Sequence, residues 1–229
     1  MFRESSPTRL CVKSWKNVSK LIYLAAINGL ISLTDYSPNQ ILDILIEQYL
    51  DMKNKLDVES RLKIGEVLTK SIRLFNELVP VFAPKLINVF LIGTKHEDDF
   101  IRSSCLSNLG ETCKLLNYSL SQNIFEIINC LSSLIETDKS TQVKRSACLV
   151  LKLTIEGLKK ENFLHILERS ILPLYRLLTK TMRTTQDDVI RLNCQTTSEY
   201  INDLMKSSMF PKQTFEKEIK VLSPFWILI

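Results

Sequence analysis

His96-Glu97-Asp98-Asp99 is the densest group of chemistry-bearing side chains in this chain of 229 residues. An imidazole beside three carboxylates could in principle hold a metal ion. Directly before Phe100 and Ile101, however, the aspartates fit a helix start better, where they accept free backbone N–H groups and complement the helix dipole. His165 stands among Phe163, Leu164, Ile166 and Leu167, which predicts a partly packed imidazole rather than a catalytic one. Glu66 and Glu111 are single carboxylates without an evident acid/base mate. No serine or cysteine has a base and an orienting acid at recognisable spacing. Neither G-x-x-x-x-G-K nor G-x-G-x-x-G occurs. The expectation is a protein that is not an enzyme, with no catalytic, cofactor-binding or metal-binding residue and no cofactor.

The six cysteines (Cys11, Cys105, Cys113, Cys130, Cys148, Cys194) include no C-x-x-C pair, and most fall in apolar helical stretches. They read as reduced, buried thiols of a cytosolic or nuclear protein. Zinc needs four converging ligands, and neither histidine has a cysteine at finger-like spacing. The sequons at Asn17 and Asn117 are chance matches in the absence of a secretory signal.

The net charge is +5, and its distribution matters more than its size. Arg3, Arg9, Lys13, Lys16 and Lys20 against Glu4 place +4 in the first twenty residues, leaving about +1 for the rest. A nucleic-acid-binding domain needs its cations clustered on the folded face, so direct nucleic-acid binding is not expected. The longest apolar stretch, from Leu21 to Leu33, is 13 residues and contains Asn28 and Gly29. A membrane span needs about 20 residues, so this reads as a core helix. The leader has arginine and serine like a mitochondrial transit peptide, but Glu4 and the lack of an amphipathic face argue against that reading.

The elements that must carry these residues are helices. Only 5 glycines and 7 prolines are present, too little turn chemistry for an all-β fold. Ile101-Arg102-Cys105, Val143-Lys144-Ala147 and Ile190-Arg191-Cys194 share one pattern: aliphatic, basic, then a small residue three further on. Looser copies centre on Ala26 and Gly65, and the five small residues are 39, 40, 42 and 47 positions apart. That period fits an all-α, HEAT/armadillo-like right-handed superhelix of helical hairpins. The small residue would let helices cross closely, and the basic one would turn to solvent.

Punctuation places hairpins at about 18–34 with 38–52, 57–78 with 84–93, 98–116 with 119–136, and 140–158 with 162–181, followed by a last helix at about 186–206. Ser37 reads as an N-cap with Pro38 at the first helical position. Pro80 and Pro84 read as an interruption, and Pro173 as a kink. Three regions result: a flexible basic leader over 1–17, HEAT-like repeats over 18–207, and a tail over 208–229. The tail, with Phe210-Pro211 and then Phe215 and Ile219, either caps the last repeat or docks a partner. Gly110, inside a helix at a cost of about 1 kcal/mol, implies tight helix packing or the approach of a partner.

The strings IYLAAINGL (22–30), RLKIGEVLTKSIRL (61–74), IRSSCLSNLGETCKLL (101–116), QVKRSACLVLKL (142–153) and MFPKQTFEKEIKVL (209–222) resemble the C-terminal region of the transport and Golgi organisation protein six family, which includes the yeast factor required for nuclear transport of RNA polymerase II. The resemblance implies a large cytoplasmic α-solenoid without known enzymatic activity. It implies protein partners: RNA polymerase II subunits, co-chaperones or nucleoporins in assembly and nuclear import, with shuttling to the nucleus. The alternative it implies is a scaffold in protein secretion and Golgi organisation, associated with Golgi membranes. Family members are far longer, so this chain would correspond to their C-terminal portion. Residues 1–16 and the ending SPFWILI depart from the family pattern.

Overall fold

The computed structural model describes residues 20–50, 58–75, 79–116, 123–158 and 170–209. Among them are nine α-helices and no strand: α1 (Lys20–Tyr36), α2 (Pro38–Leu50), α3 (Val58–Leu74), α4 (Val79–Gly93), α5 (Asp99–Leu116), α6 (Ile124–Thr137), α7 (Thr141–Glu156), α8 (Ile171–Thr184) and α9 (Asp188–Met209). The leader, His165 and the tail from Phe210 lie outside the described residues.

Helix starts follow the local chemistry. The Ser37 carbonyl accepts the Ile41 N–H at 3.2 Å, so Ser37 is the N-cap and Pro38 opens α2 as its sequence suggested. Prolines behave differently from expectation. Pro80 and Pro84 both lie inside α4, which begins at Val79 rather than near 84. Pro80 falls in the first turn, where no N–H is needed. Pro84 deprives only the Pro80 carbonyl of its donor, so the helix continues. Pro173 occupies the third position of α8, again in a first turn, and does not kink a helix interior.

The helices form two rows. α1, α3, α5, α7 and α9 pack side by side in one row, while α2 with α4, and α6 with α8, make up the other. Ala26, Gly65, Cys105, Ala147 and Cys194 all sit in the first row, and all but the half-buried Ala26 are buried. α1 and α2 pair as expected through the single residue Ser37, but further along the pairing of hairpins differs from the sequence expectation by one helix. α4 packs on α5, α6 on α7 and α8 on α9, across connectors of 94–98, 138–140 and 185–187. α5 and α6, expected as partners, scarcely touch among the described residues. The short connectors decide this, since neighbouring antiparallel helices are joined by few residues. Each helix with the aliphatic-basic-small pattern is therefore the second of its hairpin.

One continuous apolar core runs between the rows, from Ile27 and Leu30 through Ile64, Phe90 and Leu109 to Leu151, Leu178 and Leu204. Gly110 faces α7: a methyl added there would lie 3.1 Å from Val150 Cγ2. Helix packing accounts for that glycine.

Candidate functional site

The connector ends of the hairpins gather most of the polar chemistry. Asp98 accepts the N–H groups of Phe100 at 2.9 Å and Ile101 at 3.1 Å, so it caps α5. Its own N–H donates to His96 Nδ1 at 2.9 Å. The lone pair a metal would need is therefore engaged in the turn. Burial, and then the nearby Arg61 charge, hold the His96 imidazole below its ordinary value and favour its neutral form. Asp187 caps α9 in the same way, accepting from Val189 and Ile190 at 3.0 Å. α9 thus begins at Asp188, two residues beyond the start at about 186 that the sequence suggested.

Arg102 does not turn to solvent. Its Nη1 donates to the carbonyls of His96 at 2.9 Å and Glu97 at 2.8 Å, closing its own connector. Nε and Nη2 donate to both oxygens of Asp138 at 2.9 and 3.0 Å, a bidentate pair reaching the next connector. The two side chains are only 15% and 5% exposed, which makes this the most shielded ion pair described. Burial by itself would raise Asp138, but the hydrogen bonds from Arg102 and the Ser140 N–H outweigh it and hold the carboxyl below its usual range. Ser140 Oγ in turn donates to Asp99 at 2.9 Å. One hairpin on, Arg145 likewise reaches the next connector, but through Asp187 Oδ2 alone, at 2.9 Å from Nε and 2.7 Å from Nη2, and from a half-exposed position. The hydrogen bond from Arg145, followed by that from the Ile190 N–H, depresses Asp187.

A second polar node lies inside the stack. The Tyr49 hydroxyl is 2.8 Å from Cys105 Sγ, and its ring meets Phe90 edge-on at 6.1 Å between centroids. Arg61, buried on α3, donates to the Tyr49 carbonyl at 2.5 Å. Burial pushes the Tyr49 hydroxyl upward and the Cys105 thiol up to about 11, so both stay protonated at neutral pH. Cys113 is pushed up to about 12 by burial. Such thiols are poor nucleophiles. Cys148 and Cys194 touch at 3.8 Å between α7 and α9. Glu66 and Glu111 lie on α3 and α5, and Glu111 pairs with Arg73 at 2.8 Å.

Among the described residues no three His, Cys, Asp or Glu side chains converge as a metal site would require. No described helix is long and apolar enough to cross a membrane. Open space occurs instead on the second row. A groove of about 500 Å3 runs between α6 and α8, walled by Ile128, Ser132 and Glu136 on one side and Pro173, Arg176 and Lys180 on the other. Sequence reasoning missed both this groove and the Arg–Asp links. The links had a signal: Arg102 to Asp138 and Arg145 to Asp187 span 36 and 42 residues, near the repeat period. The groove also had one, three cations and no acid in ILPLYRLLTKTMRT.

The fold and its polar links define an all-helical stack of hairpins whose open features are surfaces and grooves. Known proteins agree with the resemblance read from the sequence strings. Residues 4–78 match the family model described as "Required for nuclear transport of RNA pol II C-terminus 1". The chain is 28% identical over 219 residues to Transport and Golgi organization protein 6 of Drosophila melanogaster, covering 93% of this chain and 23% of that protein. It is 29% identical over 133 residues to the RNA polymerase II assembly factor RTP1 of Saccharomyces cerevisiae, covering 54% of this chain and 13% of that one. The chain thus spans a quarter or less of the length of these relatives.

Proposed function

We propose that this chain is a non-enzymatic binding scaffold of the HEAT type, a right-handed superhelix that serves as an adaptor in RNA polymerase II assembly and nuclear import. The observation that carries the reading is the similarity to the yeast assembly factor over 133 residues, joined by the family match at 4–78. The two-row stack supports it physically, because repeated hairpins expose long surfaces on which side chains not needed by the core can select a partner. In this reading the partners are polymerase subunits and the factors that accompany them, and the chain works in the cytoplasm and shuttles to the nucleus. It binds protein, not nucleic acid.

A second reading has its own support. The Drosophila relative named for transport and Golgi organisation aligns with 93% of this chain, more than the yeast protein does. A scaffold in secretory traffic would follow from that likeness. Affinity purification of the tagged chain from cytosol, with mass spectrometry of the bound proteins, separates the two. Polymerase II subunits in the eluate support the adaptor reading; Golgi or coat components without polymerase sink it in favour of the second.

A further inference from the structure

We infer that the α8 face is a docking surface for an acidic, partly apolar protein segment. The inference rests on the binding-scaffold reading and deepens it by naming a surface and the chemistry of its partner. α8 carries Arg176, Lys180 and Arg183 and no carboxylate. Their spacing of four and three residues lines them along one stripe of the helix. The arginines Arg73, Arg102, Arg145 and Arg191 each meet a carboxylate elsewhere in the stack. Among the described residues Arg176 and Arg183 meet none, and both are exposed. Lys180 is held by Glu136 across the groove at 3.3 Å, with both side chains largely exposed. Such a pair exchanges partners at little cost.

Shape agrees with charge. The α6–α8 groove is joined along α8 by a second hollow of about 410 Å3 lined by Tyr175, Thr179 and Arg183, and the two share Arg176 and Lys180. Leu172 is 56% exposed and Tyr175 36% on the same helix. Aromatic and arginine side chains together are the usual anchors of protein interfaces, and arginine clusters recognise acidic motifs through bidentate hydrogen bonds. The wall opposite, with Ile128 and Ser132, adds apolar and neutral surface and no further cation, so the basic tract is confined to one helix and falls short of what a phosphate backbone would require. The mixed lining favours carboxylates spaced by apolar side chains.

The test uses the full chain and a fluorescein-labelled peptide of alternating glutamate and leucine, read by polarisation. Its lysine–leucine counterpart, poly-uridine RNA and phosphatidylserine vesicles serve as competitors. The acidic peptide is expected to bind saturably and to weaken as salt rises. Charge reversal, R176E with R183E, weakens it by about tenfold or more, whereas K95E with K114E, an equal change of net charge elsewhere, leaves it within about twofold. R176Q with R183Q gives the same loss if the reversed chain melts early. Equal loss from both reversals, or tighter binding of RNA or vesicles than of peptide, overturns the proposal. Polymerase recovery that survives while peptide binding is absent removes this surface and leaves the adaptor reading standing. Peptide binding without polymerase recovery does the reverse.

Discussion

Asp138 is asked to do three things at once: accept both Arg102 nitrogens, accept the Ser140 N–H, and stay ionised while nearly buried. Replacing it with alanine strands a shielded guanidinium, so Asp138→Ala should cost about 2–3 kcal/mol in urea unfolding, more than the exposed Lys206–Asp203 pair could. A cycle with Arg102→Ala should show strong coupling between the two positions. His96 sets a pH limit. Its folded-state value lies below 6.5, so its contribution is present above about pH 6.5 and is lost as pH falls through the depressed value. The melting temperature should fall between about pH 7 and 5, and His96→Asn, which keeps an acceptor for the Asp98 N–H, should flatten that limb. The depressed carboxylates Asp138 and Asp187 add a further loss below 3.8 by the same sign. The Asp98 cap was readable because caps depend on neighbours in sequence. The Arg102–Asp138 pair left only its near-repeat spacing of 36 residues, which does not say which helices share a hairpin.

At the scale of elements, helix positions were legible from periodicity and caps, and their pairing was not. The pattern Ile-Arg-x-x-Cys looks the same whether its helix leads or closes a hairpin, and only the short connectors 138–140 and 185–187 settle the matter. Proline was over-read as a breaker: Pro80 and Pro173 fall in first turns, where no N–H is needed, and Pro84 removes one bond from a helix that continues past it. Gly65 was expected to permit close crossing, and it does so against two helices. A methyl there would lie 2.7 Å from Asn108 Nδ2 and 3.2 Å from the Tyr49 ring. Gly65→Ala should therefore lower the melting temperature, although alanine in an open helix would gain about 1 kcal/mol. A rise in stability would mean that Asn108 and Tyr49 yield more easily than their burial suggests.

For the whole molecule, the apolar periodicity gave the all-helical class, but nothing in one sequence could reveal that the first row packs closely while α6 and α8 stand apart. Close packing follows from small residues at the contacts, as where Cys148 meets Cys194 or Gly110 admits Val150. The looser second row leaves the groove. Native-state hydrogen exchange should be slowest in α3, α5 and α7, which have packed neighbours on both sides in the first row, and faster in α1 and α8. Uniform exchange across all helices would indicate one all-or-none unit instead.

The two Arg–Asp links between hairpins, Arg102–Asp138 and Arg145–Asp187, point the same way, from the closing helix of one hairpin to the connector of the next. The hairpins α4–α5, α6–α7 and α8–α9 are thus joined in sequence by bonds that skip no unit. Duplication or loss of a whole hairpin adds or removes one link and leaves the others in register. A single residue inserted at 138–140 disturbs four hydrogen bonds at once: the two of the Arg102 clamp, that of the Ser140 N–H and the Asp99 contact. Length variation in such a chain is therefore tolerated in steps of about forty residues, and poorly in steps of one.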